Sequence, residues 1–112
     1  AIGPLIQDTF ARAYAQGVPI VFGTDTGVSP HGDNWKEFTY MVEAGMPPLE
    51  ALTSAMSVAA GVLGQGDQLG QLAPGFLADV IAVEGDPLSD IARMGAVSLV
   101  IKDGEVVRYE NP

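Results

Sequence analysis

The stretch Gly17-Val18-Pro19-Ile20-Val21-Phe22-Gly23-Thr24-Asp25 decides how this sequence is read. Its apolar core, Val18 to Phe22, is too short for a helix and is bounded by glycines. The run is continuous where a half-exposed strand would alternate, so it reads as a buried strand covered on both faces, as in parallel sheets. Pro19 stands at its beginning, where a missing N–H is tolerated. Upstream, residues 4–16 read as an amphipathic helix with Ile6, Phe10, Ala13 and Tyr14 on one face. Pro4 suits its first turn and Gly17 the position just past its end. Helix, glycine turn and buried strand make half of a βαβ unit. Such a strand requires parallel neighbours, and no other segment of the chain resembles it.

Downstream, Thr26 to Asp33 is a Gly, Ser, Pro and Asp loop. Asn34 with Glu37 predicts a capping box, followed by an apolar stripe of Trp35, Phe38, Met41 and Val42 that ends at Gly45. Pro47-Pro48 starts a further helix in which Leu49, Leu52, Met56 and Ala59 recur at helical spacing. Trp35 and the methionines lie at core spacing. After Gly61 the chain turns glycine-rich, and Val80 to Val83 reads as a strand closed by Gly85-Asp86-Pro87. Beyond a brief linker, Val97–Ile101 and Glu105–Tyr109 flank Asp103-Gly104, a type I′ hairpin signal. The expected division is residues 1–63, helix-rich with one buried strand, and residues 64–112, a small all-β part.

Composition narrows the functional classes. The chain has 112 residues, 47% of them hydrophobic, and carries 14 acidic against five basic side chains for a net charge of −9. That apolar fraction predicts a packed core rather than a disordered chain. Without cysteine there is no disulfide, thiolate metal site or cysteine nucleophile. The acidic balance repels phosphate, which argues against nucleic acid and anionic membranes as partners. No apolar run approaches the roughly 20 residues of a membrane span, and no signal-peptide pattern opens the chain, so a soluble, cytoplasmic protein is expected.

Ligands of α/β folds bind outside the carboxyl ends of the strands, and Asp25 occupies such an end. A carboxylate there can ligate a divalent metal or act as a general base, and it can equally cap a turn in Thr-Asp-Thr-Gly. His31 is the single histidine. It can contact a substrate carbonyl or titrate near neutrality, or simply be solvated. Ser29, His31 and Asp33 are too close in one turn for a nucleophilic relay. No glycine-rich phosphate loop with a lysine is present.

Two motifs carry a resemblance. Residues 17–25 with Pro30-His31-Gly32 resemble the eighth strand and following loop of the amidohydrolase superfamily, especially its imidazolonepropionase-like and prolidase-like members. Gly70-Gln71-Leu72-Ala73-Pro74-Gly75-Phe76-Leu77-Ala78-Asp79-Val80-Ile81-Ala82-Val83 is similar to that family's return from the barrel into a small β-sandwich, and Asp86-Pro87-Leu88 and the hairpin match its closing strands. The resemblance implies an α/β chain that is the C-terminal fragment of a distorted TIM barrel (helix, last barrel strand, following helices) plus strands of the β-sandwich domain. It implies hydrolysis of a C–N bond in a non-peptide, cyclic or dipeptide-like amide of a small-molecule substrate, by water activated on one or two divalent metals, usually zinc. On that resemblance Asp25 is both metal ligand and proton acceptor, His31 lies near the substrate, and Asp79 is structural. The family's His-x-His pair, its carboxylated lysine or glutamate and its later histidines have no counterpart here, and a TIM barrel takes about 250 residues. The expectation is therefore a C-terminal piece, beginning at Ala1 as a cut, that does not catalyse alone. The alternative is a free-standing, non-catalytic interaction or structural domain derived from the same fold. Exposed strand edges favour self-association into a homo-oligomer.

Overall fold

A computed structural model describes residues 2–23 and 34–109 of the chain. Among the described residues four helices come first: α1 (Ile2–Ala15), α2 (Lys36–Glu43), α3 (Pro48–Ser54) and α4 (Ser57–Val62). An antiparallel sheet of β1 (Val80–Val83), β2 (Val97–Lys102) and β3 (Glu105–Tyr109) follows, in the order β1-β2-β3, with a 3₁₀ helix over Ile91–Gly95 between β1 and β2.

Helix α1 ends as its glycine predicts. Gly17 has φ +83°, its N–H donates to Tyr14 O, and the Val18 N–H reaches back to Ala13 O, the paired bonds of a Schellman stop. Helix α2 ends the same way at Gly45, where Met46 N–H donates to Met41 O and both methionine side chains enter the core. Pro48 opens α3 at a position whose N–H would have no helical partner.

The core gathers Phe38 and Met41 of α2, Met46, Ala51 and Leu52 of α3, and Ile91 and Met94 of the 3₁₀ helix. Phe10, Tyr14, Ile20, Phe22, Trp35, Val42, Ala55 and Val83 pack around it. Phe10, Tyr14, Trp35 and three of the four methionines thus take the places their spacing predicts, while Met56 is exposed. The side chain of Ile6 lies outside the described residues.

Four expectations are corrected. Residues 18–22 form no strand: Ile20 and Phe22 turn inward, but Val18 and Val21 are exposed. A parallel strand is held by neighbours on both sides, and the described residues supply none; the Phe22 N–H donates instead to Ser54 O at 3.1 Å. The capping box does not form either. Trp35 is the N-cap of α2 without a side-chain cap bond, and the Glu37 N–H that the box would give to the Asn34 side chain is taken by the backbone oxygen of Asn34. The helix expected after Pro47 is two helices. Met56, at φ −119° and ψ −103°, breaks it, and just before the break Thr53 Oγ1 and Ser54 Oγ bond back to the Glu50 and Ala51 carbonyls. Finally, the linker after Asp86 is ordered: Asp86 accepts from Leu88 N–H and Ser89 Oγ, and Asp90 caps the 3₁₀ helix by accepting from Ala92 N–H.

The three tail strands fall where the apolar runs and the turn signals put them. Asp103 and Gly104 have φ +49° and +81°, the two left-handed residues of a type I′ turn. That turn is fastened to the chain entering β1. Asp103 N–H donates to the Asp79 carboxylate at 2.9 Å, and Gly104 N–H to Ala78 O at 3.0 Å. Asp79 therefore has the structural contact that the resemblance implies for it.

Candidate functional site

The residues assigned to chemistry, Asp25 and His31, and with them Ser29 and Asp33, lie outside the described residues. What the structure places is the frame at either end of that span. At the near end, the Phe22 ring packs on Phe38, with ring centroids 4.5 Å apart and planes at 30°. This geometry is favourable for two aromatic quadrupoles, and it ties residue 22 to the first turn of α2. At the far end, Asn34 leads into α2 with its side-chain oxygen buried and without a hydrogen-bond partner among the described residues. Beside it the Trp35 indole lies on Gly95, so close that a Cβ there would stand 2.8 Å from Cε2. Gly95, Ile91 and Met94 were hidden in the sequence inside an apparent linker. The signal that could have found them is Asp90 followed by apolar residues at Ile91 and Met94, a cap and one helical turn of core spacing.

Four of the described acidic side chains serve the fold. Asp79 holds the hairpin turn, Asp86 and Asp90 shape the loop into the 3₁₀ helix, and Glu50 accepts a hydrogen bond from the Tyr14 hydroxyl, joining α3 to α1. That bond, with smaller contributions from burial and from the charge of Glu50, raises the Tyr14 hydroxyl above its usual value of 10.0. Among the described residues, no three His, Cys, Asp or Glu side chains are grouped so that they could hold a metal ion. The described donor set therefore does not fit a metal centre by itself. No described helix is long and apolar enough to cross a membrane.

The order of elements and the two motifs place the chain in a class. Residues 7–107 match the Amidohydrolase family, and the chain belongs to it. Among solved relatives, a Xaa-Pro dipeptidase with methionine bound in its active site superposes with a TM-score of 0.92 at 52% identity, over 96% of this chain and 27% of that one. Ochratoxinase of Aspergillus niger is 39% identical over 92% of this chain and 23% of its own length. Molinate hydrolase superposes with a TM-score of 0.80 at 30% identity, over 88% of this chain and 25% of that one. The chain thus spans about a quarter of the length of these relatives.

Proposed function

We propose that this chain is the C-terminal part of a metal-dependent amidohydrolase that cleaves the C–N bond of a dipeptide-like amide. The observation that carries the reading is the 52% identity to the Xaa-Pro dipeptidase over nearly the whole chain. On this reading residues 1–63 belong to the barrel, with 18–22 as its last strand once neighbours are present, and residues 64–112 to a small β-sandwich. Asp25 is the one ligand this chain brings to a divalent metal, read as zinc, and is the carboxylate that accepts a proton from the hydrolytic water. His31 lies against the substrate carbonyl. A bound ion of this kind supplies a water acidified enough to attack near neutral pH. The rest of the ligand set comes from outside these residues, so the 112 residues alone do not catalyse.

The test uses the whole polypeptide that carries this chain, with a methionine–proline dipeptide as probe. Replacing Asp25 by Asn is expected to lower kcat by about 10²- to 10⁴-fold, the range for loss of a general base, and to reduce bound metal. Unchanged turnover together with unchanged metal content would falsify the assignment.

A further inference from the structure

We infer that Asp103-Gly104 is a self-modification site, an isoaspartate-forming turn that its hydrogen bonds to Asp79 and Ala78 hold unreactive while the entry to β1 stays closed. The inference depends on no role of Asp25 or His31.

In an Asp-Gly or Asn-Gly pair the side-chain carbonyl carbon is readily reached by the next backbone nitrogen, because glycine puts no Cβ in the way. The 112 residues contain one such pair, at positions 103 and 104. Both residues are exposed, and a Cβ on Gly104 would meet nothing within 4 Å, so neither burial nor crowding protects them. In the reaction the Gly104 nitrogen bonds to Asp103 Cγ, and one carboxyl oxygen leaves as water with the N–H proton and a proton from solvent. The five-membered imide then takes up water. Attack at Cγ restores aspartate. Attack at the main-chain carbonyl carbon of Asp103 breaks its bond to the Gly104 nitrogen and leaves the chain running through the side chain. No oxidant or cofactor enters, and the mass is unchanged.

Two bonds oppose the first step. The Gly104 N–H donates to Ala78 O at 3.0 Å, so the nitrogen cannot release its proton and turn to Cγ without giving up that bond. The Asp103 N–H donates to Asp79 Oδ1 at 2.9 Å, which pins the other side of the same residue. Ring closure needs the peptide unit between 103 and 104 to rotate, and with both N–H groups held the rotation begins only after the tip has lifted from Ala78 and Asp79. The rate of modification is then the open fraction of the tip multiplied by the rate of the free dipeptide, as for amide exchange through local opening.

The product does not fit the closed turn. Lys102 pairs with Glu105 across a two-residue loop. Asp103 at φ +49° and Gly104 at φ +81° supply the left-handed pair that such a loop demands. Isoaspartate adds a main-chain carbon to the loop, so the Lys102–Glu105 pair and the bonds to residues 78 and 79 are not remade together. Each opening of the tip thus carries a chance of becoming permanent.

The test follows isoaspartate at position 103 in the whole polypeptide that carries this chain, held folded at neutral pH. Digestion and chromatography of the peptide bearing residues 98–109 read the isomer, which changes retention and not mass. The reference is the free peptide Ile101-Lys102-Asp103-Gly104-Glu105-Val106. The folded protein is expected to convert at least about tenfold more slowly than this peptide, a factor set by hydrogen bonds that must open first. Asp79→Ala removes one of them and should speed conversion about fivefold, whereas Asp79→Asn, whose amide oxygen can still accept from Asp103 N–H, should stay close to the parent rate. Asp90→Ala deletes a similar carboxylate–N–H bond at the 3₁₀ helix and should change nothing at position 103. Should Asp79→Ala fail to fold, the unsubstituted protein is followed in denaturant below its unfolding transition, where conversion should rise in proportion to amide exchange at Gly104. The proposal is overturned if the folded protein converts as fast as the free peptide, if folded Asp79→Ala is no faster than Asp90→Ala, or if conversion fails to track Gly104 exchange.

Discussion

The helical half and the strand half of this chain bury their apolar residues in opposite ways. In the helices, Phe38, Met41, Ala51 and Leu52 are nearly or wholly removed from water. No residue of the three strands reaches that state, and every residue of β3 is exposed. The most buried side chains that the second half owns, Ile91 and Met94, sit in the short 3₁₀ helix between two strands and point into the helical core. A regular ladder and a hydrophobic anchor are therefore separate things here. The sheet is held by backbone pairing and by its turn, and it is joined to the helical core by one turn of irregular helix together with Val83 of β1.

That contrast can be broken most directly at the join. Ile91→Ala or Met94→Ala should each destabilise the protein by about 2–5 kcal/mol, the cost of emptying a buried site of this size, as read from denaturant midpoints. A loss below about 0.5 kcal/mol would mean that the halves are not united there. Asp79→Ala should cost about 1 kcal/mol, the worth of an exposed hydrogen bond to a charged acceptor, and should speed amide exchange at Asp103 specifically. Tyr14 sharpens the helical side through pH. Its folded hydroxyl titrates above the unfolded value of 10.0, so its contribution is fully present below pH 10 and fades as pH rises through the raised value. Tyr14→Phe should remove that alkaline dependence from the stability profile and lower stability at neutral pH, where the hydrogen bond to Glu50 is fully made. The smallest effect belongs to the outer strand: Val106→Ala, at an exposed position, should stay within about 0.5 kcal/mol.

Much of the fold was legible because the signals were local. Gly17 and Gly45 mark helix ends by backbone conformation alone, and Asp103-Gly104 fixes a turn without reference to anything distant. Failures came where a partner decides the outcome. Val18 to Phe22 has the composition of a buried strand, yet strand formation depends on neighbouring ladders that the described residues do not provide. Asn34 and Glu37 have the spacing of a capping box, but the helix begins one residue later and uses a backbone carbonyl. Pro47 onward keeps helical periodicity through Met56, where hydroxyl groups at Thr53 and Ser54 compete for the carbonyls. Ile91 and Met94 read as part of a connection, because two apolar residues among turn formers do not declare a helix until the core they enter is known. The two site residues were legible only through motif resemblance, since neither Asp25 nor His31 has a sequence neighbourhood that distinguishes ligand from turn.

The fastening of the Asp103-Gly104 tip bears on how this protein can be engineered. Hairpin tips are ordinarily the safest places to splice in an epitope, a tag or a new terminus, because their outward N–H groups face water. Here both of those N–H groups are committed, one to the Asp79 carboxylate and one to the Ala78 carbonyl. An insertion at the tip would unlatch the entry to β1 as well as the hairpin itself. The bend at Pro74-Gly75, with open space around Gly75, is the better splice site, although nothing in the bare sequence ranks it above the other.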